Sequence, residues 1–140
     1  MRACTFFGHR DTPQAAESIL ESVLLNLIEK EDVRSFYVGS QGSFDEMVIR
    51  QLSELEKTHG IRYGIVLAYP PKKNSNYADD PHTIYPEGLE TVPQRYAIIK
   101  RNLWMLEHSA YVVTYVRREI GNASNFKQLA DKKGKTVISL

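Results

Sequence analysis

The sequence predicts an α/β fold: a three-layer, doubly wound sheet of about five mainly parallel strands flanked by helices. Short apolar runs recur at residues 3–7, 35–38, 63–69, 110–116 and 136–140. Amphipathic segments of helical period separate them. The runs are apolar almost throughout, as expected of strands covered on both faces in a parallel sheet. The expected strand order is third, second, first, fourth, fifth. At 140 residues the chain fits one domain, and it shows no internal repeat or boundary.

The elements follow in order. Residues 3–7 form the first strand, which ends at Gly8. Thr12 then caps a helix whose first position suits Pro13. Ala16, Ile19, Leu20, Val23, Leu24, Leu27 and Ile28 share one face of it. Residues 35–38 are the second strand. Ser43 opens the second helix, and Glu46 three residues on completes a capping box. Phe44, Met47, Val48, Leu52 and Leu55 make its apolar face, and Gly60 suits its end. Residues 63–69 are the third strand. A helical segment over 93–107 carries Tyr96, Ile99, Leu103 and Leu106 on one side. The fourth strand covers 110–116. Ala123, Phe126, Leu129 and Ala130 mark the last helix, Gly134 ends it, and 136–140 closes the sheet. Residues 70–92 break the pattern with Pro70, Pro71, Pro81 and Pro86 among polar residues and tyrosines. A loop this long in a small domain is functional or disordered, and a lid is its functional reading.

Charge and cysteine usage narrow the class. There are 18 basic and 17 acidic residues, a net charge of +1. That balance gives no general reason to expect a nucleic acid or an anionic membrane as partner. Cys4 is the single cysteine. A disulfide within the chain and a thiolate zinc site are thereby excluded, which fits a reducing cytoplasm. Cys4 sits in an apolar run and reads as a buried, inert thiol. No stretch reaches the ~20 apolar residues of a membrane span, and no signal peptide is expected. His82, Asp79 and Asp80 are neighbours on a loop without a second cluster at ligand spacing. Neither a metal nor a resident cofactor is expected.

In open parallel sheets, ligands bind beyond the carboxyl ends of the strands, near the switch in strand order. That rule selects residues 8–11, 39–43, the loop after Tyr69, and 117–125. Gly39-Ser40-Gln41-Gly42-Ser43 leads straight from a strand into a helix. It is either a cradle for a phosphate at a helix N-terminus or an ordinary turn relieved by glycine. Arg10 can pair with a phosphate. His9 is an acid or base near neutral pH, or a strand-end residue bonded to backbone. Asp45, in the first helical turn, can hold a ribose hydroxyl or simply complement the helix dipole. Arg95 and Lys100 read as surface charge, whereas Arg101 and Asn102 are candidates for the site. Trp104 and Met105 read as core or interface. Glu119, Asn122, Ser124 and Asn125 surround Gly121. They can bind sugar or phosphate, and Asn122 or Ser124 can instead cap the last helix. Tyr77 and Tyr85 can stack on a base or pack against another subunit.

Four segments together carry a family resemblance: Phe6-Phe7-Gly8-His9-Arg10, Gly39-Ser40-Gln41-Gly42-Ser43-Phe44-Asp45, Arg101-Asn102-Leu103-Trp104-Met105 and Gly121-Asn122-Ala123. In this order the chain resembles the SLOG superfamily. That group joins the Lonely-Guy-type cytokinin-activating enzymes to DNA-processing protein A and small bacterial and phage proteins, of which the YpsA-like ones look most similar. The resemblance covers nearly the whole chain. It implies a Rossmann-like fold holding a nucleotide or nucleotide-derived ligand. It matches Gly8 and Arg10 to the first loop, and Gly39, Gly42 and Asp45 to the glycine-rich loop. It matches Arg101 to a helix arginine near phosphate or sugar, and Gly121 to the second glycine loop. The enzymes of the superfamily carry Pro-Gly-Gly-x-Gly-Thr-x-x-Glu there. Here residues 120–128 have lost two of those glycines, and Gln128 replaces the acid. A neutral amide neither stabilises an oxocarbenium ion as a carboxylate does nor transfers its proton.

The expected function is binding of a nucleotide or an NAD- or ADP-ribose-derived small molecule, as sensor, carrier or sequestering module. A nucleoside-phosphate N-glycosidase or deoxyribosyltransferase-like enzyme is the alternative, with Asp45 or Glu119 as its carboxylate. A protein-interaction subunit is the third reading. Self-association as a dimer or higher homo-oligomer is expected.

Overall fold

The computed structural model describes residues 2–71 and 79–140. Its strands are β1 (Ala3–Gly8), β2 (Ser35–Val38), β3 (Arg62–Val66), β4 (Thr83–Ile84), β5 (Tyr111–Tyr115) and β6 (Thr136–Ser139). Its helices are α1 (Glu17–Glu29), α2 (Ser43–His59), α3 (Ala97–Glu107) and α4 (Asn122–Lys132). One sheet runs in the order β4-β3-β2-β1-β5-β6, and every pairing in it is parallel. The α/β reading and the expected order of the five longer strands therefore hold.

Alternation along β1 explains the three layers. Cys4 and Phe6 pack with Leu20, Leu24, Phe44 and Met47 of α1 and α2. Phe7 belongs to the opposite layer with Met105, Leu106 and Phe126 of α3 and α4. Successive residues of a strand point to opposite faces, so β1 is apolar on both. The chain winds first through α1 and α2 on one face and then crosses to α3 and α4 on the other. Each crossover joining parallel strands is right-handed as a rule, so the change of direction moves the helices to the second face. The switch falls between β1 and β5. Cys4 is fully buried, and burial pushes its thiol well above the ordinary range. Among the described residues no helix is long and apolar enough to cross a membrane.

Several local expectations are corrected. The stretch 70–92 contains a sixth strand, β4, in register Ile65↔Thr83 and Val66↔Ile84 with β3. Two residues between prolines are too short to show a period. Gly64 admits it, because a Cβ there would crowd the Ile84 side chain. The third strand ends at Val66 rather than at Tyr69. Tyr77 lies outside the described residues.

Thr12 does not cap the first helix. Its hydroxyl donates to the His9 carbonyl at 2.6 Å, and a short 3-10 turn at Gln14–Ala16 precedes α1. Ile19 is 51% exposed and is not part of the α1 face. The expected capping box on α2 is absent too. The Ser43 hydroxyl instead shares its one proton between the carbonyls of Arg10 (2.7 Å) and Thr12 (2.9 Å). Asn122 and Ser124 do not cap α4 with their side chains, since Gly121 holds the N-cap position.

The face of α3 is also rotated from expectation. Tyr96 and Ile99 are exposed, while Ala97, Arg101, Asn102, Met105 and Leu106 are buried. Apolar residues alone misread the helix because two of its inward positions are polar. Gly60 ends α2 with φ 66° as expected of a left-handed C-cap.

Candidate functional site

Beyond the carboxyl ends of β1 and β5 lies a cavity of about 260 Å³. It occupies the switch in strand order, where open α/β sheets bind ligands. β1 and its following loop supply Phe6, Phe7, Gly8, His9 and Arg10 to the wall. Gln41 and Asp45 come from the start of α2, and Ile98, Arg101, Asn102 and Met105 from α3. Arg118, Ile120, Gly121, Asn122 and Ala123 close the other side.

Of the residues singled out in the sequence, Gly8, His9, Arg10, Gln41, Asp45, Arg101, Gly121 and Asn122 thus meet at one cavity. Gly39, Ser40, Gly42, Ser43, Ser124 and Glu119 do not line it. Most of these act behind the wall. A Cβ on Gly39 would crowd both the Asp45 carboxyl (2.8 Å) and the Arg101 guanidinium (2.9 Å), so only hydrogen fits between them. Gly42, with φ 95°, packs against the Arg10 backbone. The Ser43 N–H donates to the Arg10 carbonyl at 2.8 Å, and the Ser43 hydroxyl, its proton shared between the Arg10 and Thr12 carbonyls, reinforces that staple. Ser124 Oγ donates to the Glu119 carbonyl at 3.1 Å. Gln128 in turn donates to Ser124 Oγ at 3.3 Å.

His9 has a structural task. Its Nε2 accepts the N–H of Arg117 at 2.8 Å and, more weakly, that of Arg118 at 3.3 Å. The proton of the neutral ring therefore sits on Nδ1. Burial and the neighbouring Arg118 hold its pKa below the ordinary value. His9 ties the loop after β1 to the loop after β5, and so fixes the width of the cavity.

Charge in the cavity is mixed. Arg101 is 3% exposed. Its Nη1 donates to the Val66 carbonyl at 2.8 Å and its Nε to Asn102 Oδ1 at 2.8 Å. Among the described residues its Nη2 has no hydrogen-bond partner. Burial lowers its pKa, while Asp45 acts against that shift. Asp45 Oδ2 accepts the Gln41 N–H at 3.0 Å. Burial still pushes its pKa up to about 6, against that hydrogen bond and the attraction of Arg101 and Arg10. Arg10 bonds Gln41 Oε1 at 2.7 Å across the mouth. Arg118 makes a two-pronged ion pair with Asp11 at 2.8 and 3.1 Å. Both of those side chains are exposed, so this clasp opens at little cost.

The two glycine loops differ in what they leave free. At the start of α2, the Gln41 and Ser43 N–H groups are already bonded to Asp45 and to the Arg10 carbonyl, which leaves those of Phe44 and Asp45 without a partner among the described residues. At the start of α4, Gly121 has φ 115° and faces open space. Among the described residues the N–H groups of Asn122, Ala123 and Ser124 have no partner. Gly121, Asn122 and Ala123 border the cavity, so this helix end is open to it. The N-terminus of a helix carries partial positive charge and free donors. Arg118, Ile98 and Ile120 were not singled out in the sequence. The strand-end rule did select the segment that holds Arg118 and Ile120.

No family model and no curated protein matches the chain. Solved structures do. The chain is similar to DNA processing protein A from Streptococcus pneumoniae at TM-score 0.70 and 14% identity, covering 99% of this chain and 50% of that one. It is similar to the molybdenum cofactor carrier protein of Chlamydomonas reinhardtii at TM-score 0.62 and 15% identity, covering 99% and 76%. The chain thus spans half the length of the first of these. At such identities the likeness shows a Rossmann-like fold of the DNA-processing-protein-A type, and the fold alone.

Proposed function

We propose that the chain is a binding module, a sensor, carrier or sequestering protein, for a nucleotide or nucleotide-derived small molecule. The open N-terminus of α4 carries the proposal. Asn122 and Ala123 border the cavity with free N–H groups, that of Ser124 follows behind them, and Arg10, Arg101 and Arg118 line the same cavity. A phosphate would lie on Asn122, Ala123 and Ser124 rather than on the 39–43 loop favoured by the sequence. Asn102 and Asn122 would meet sugar hydroxyls. The resemblance to the SLOG superfamily and its YpsA-like members supports the same reading, as does a carrier protein among the proteins that share the fold.

Calorimetry with a panel of nucleoside monophosphates, NAD and ADP-ribose tests it. Micromolar or tighter binding is expected, weakened by about 1.5–3 kcal/mol in Arg10→Ala or Arg118→Ala, the range for a charge-assisted hydrogen bond. Absence of binding across the panel would refute it.

One observation favours a second reading, N-glycosidic cleavage. Asp45 borders the cavity with its pKa pushed up to about 6, near the range of a working acid or base. Glu119 is exposed and does not border the cavity. Release of free base from a nucleoside monophosphate, lost in Asp45→Asn, would establish turnover.

A further inference from the structure

The cavity at the switch in strand order has a floor and a rim of different chemistry. Phe6, Phe7, Arg101, Asn102 and Met105 are buried and form the floor. Arg101 and Asn102 are the polar side chains among them, and among the described residues the Arg101 Nη2 has no hydrogen-bond partner. Arg10, Arg118, Ile120, Gly121 and Asn122 are exposed and form the rim, which the half-buried Ile98 of α3 joins. Ile120 is 87% exposed, the most of any large apolar side chain among the described residues.

An apolar side chain held in water is unfavourable, yet single ones are ordinary on a protein surface. Ile120 differs from these in two ways. It shares the border of one cavity with Ile98. It also stands two residues before Asn122, whose N–H is free among the described residues. Two residues of chain span about 7 Å at most. A single pentose bridges that gap between a phosphate on the start of α4 and a ring on Ile120. At about 260 Å³ the cavity falls below the roughly 300–1,000 Å³ usual for small-molecule sites. It encloses a sugar phosphate and leaves the rest of a nucleotide outside its mouth.

We infer that Ile98 and Ile120 form a platform at the mouth for a flat heteroaromatic base, whose pentose phosphate fills the cavity beneath. The inference rests on the binding function proposed above, and it names the surface that meets the part of the ligand left outside. The sugar hydroxyls face Arg101 Nη2 and Asn102 on the floor. The base lies against the two aliphatic side chains, which exchange water for a ring face. Every group in this assignment borders the one cavity.

Calorimetry on the whole chain with ribose 5-phosphate and AMP tests it, in wild type, Ile120→Ser and Ile120→Phe. Ile120 lies on an exposed loop, so both variants should fold as the wild type does. Partial cover of the two isoleucines is worth about tenfold in affinity, so wild type should bind AMP about tenfold more tightly than ribose 5-phosphate. Ile120→Ser should bring that ratio down to about threefold, because Ile98 remains. Ile120→Phe should keep the ratio at about tenfold or raise it, since an aromatic ring stacks on a base. A ratio near one in wild type overturns the platform but leaves the sugar-phosphate site standing. An unchanged ratio in Ile120→Ser also overturns it, and a lower mass of that variant in light scattering would assign the side chain to a contact between copies of the chain. If neither ligand binds the wild type, the function it rests on falls, and the platform falls with it.

Discussion

Asp45 sits between two demands. Its carboxyl satisfies the Gln41 N–H, yet burial raises its pKa from 3.8 to about 6. A carboxyl raised in the folded state favours folding in its protonated form. Its contribution is fully present below pH 3.8 and is lost as the pH rises through about 6. Asp45→Asn, which keeps an acceptor for Gln41, should therefore stabilise the chain at pH 8 by on the order of 2 kcal/mol and change little at pH 4. Urea unfolding at the two pH values reads this directly. The ionised carboxylate also opposes an anion in the cavity. Asp45→Asn should therefore bind phosphate more tightly than wild type at pH 7.5, and the two should bind alike at pH 5, a comparison in which the ionisation of the phosphate itself cancels. His9 has the opposite sign. Its pKa is lowered, so the stability it contributes is present above its ordinary 6.5 and is lost as the pH falls through the lower folded value. His9→Ala orphans the Arg117 N–H and should cost about 1–3 kcal/mol at pH 7.5. Unfolding of this variant should show less acid sensitivity than wild type. The sequence identified both residues, but could not assign their partners. Arg117 is far from His9 along the chain, and only the fold brings its N–H to the ring.

At the scale of elements, α3 is the clearest case of a helix that its apolar residues misplace. Its inward stripe includes Arg101 and Asn102, and Ile99 is 40% exposed. Leu106→Ala should cost about 2–5 kcal/mol, whereas Ile99→Ala should cost under about 0.5 kcal/mol. A cost for Ile99→Ala comparable to that of Leu106→Ala in chemical denaturation would restore the face read from the sequence, which held both residues. Caps were misread for a related reason. Ser43 and Glu46 have the spacing of a capping box, but Gly42 holds the N-cap position, so Ser43 is already inside the helix and its hydroxyl donates to carbonyls of the first loop. A contact with a distant loop is invisible to a local pattern. The glycine loops were legible as helix starts but not as open or occupied. At Gly121 the φ of 115° disfavours any side chain although the space is free. Gly121→Ala should therefore destabilise the chain by about 1–3 kcal/mol through backbone strain alone.

The whole molecule brings three distant loops and one face of α3 to one point through its topology. Alternation of apolar runs with amphipathic segments was enough to read the order of the five longer strands, and hence the position of the switch between β1 and β5. β4 was not legible, because two residues carry no period and are held by pairing with β3. Since the cavity exists only when the sheet is complete, a ligand that fills it must stabilise the folded state. At a free concentration of 100 times its dissociation constant the gain is about 2.7 kcal/mol, which should appear as a thermal shift of several degrees. The central claim is that a phosphate group lies on the free end of α4. Amide chemical shifts recorded while ribose 5-phosphate is added test it most directly. The account predicts that the largest changes fall on Asn122, Ala123 and Ser124, with smaller ones at Arg10 and Arg118. Changes centred on residues 39–43, or no saturable change at all, would contradict it.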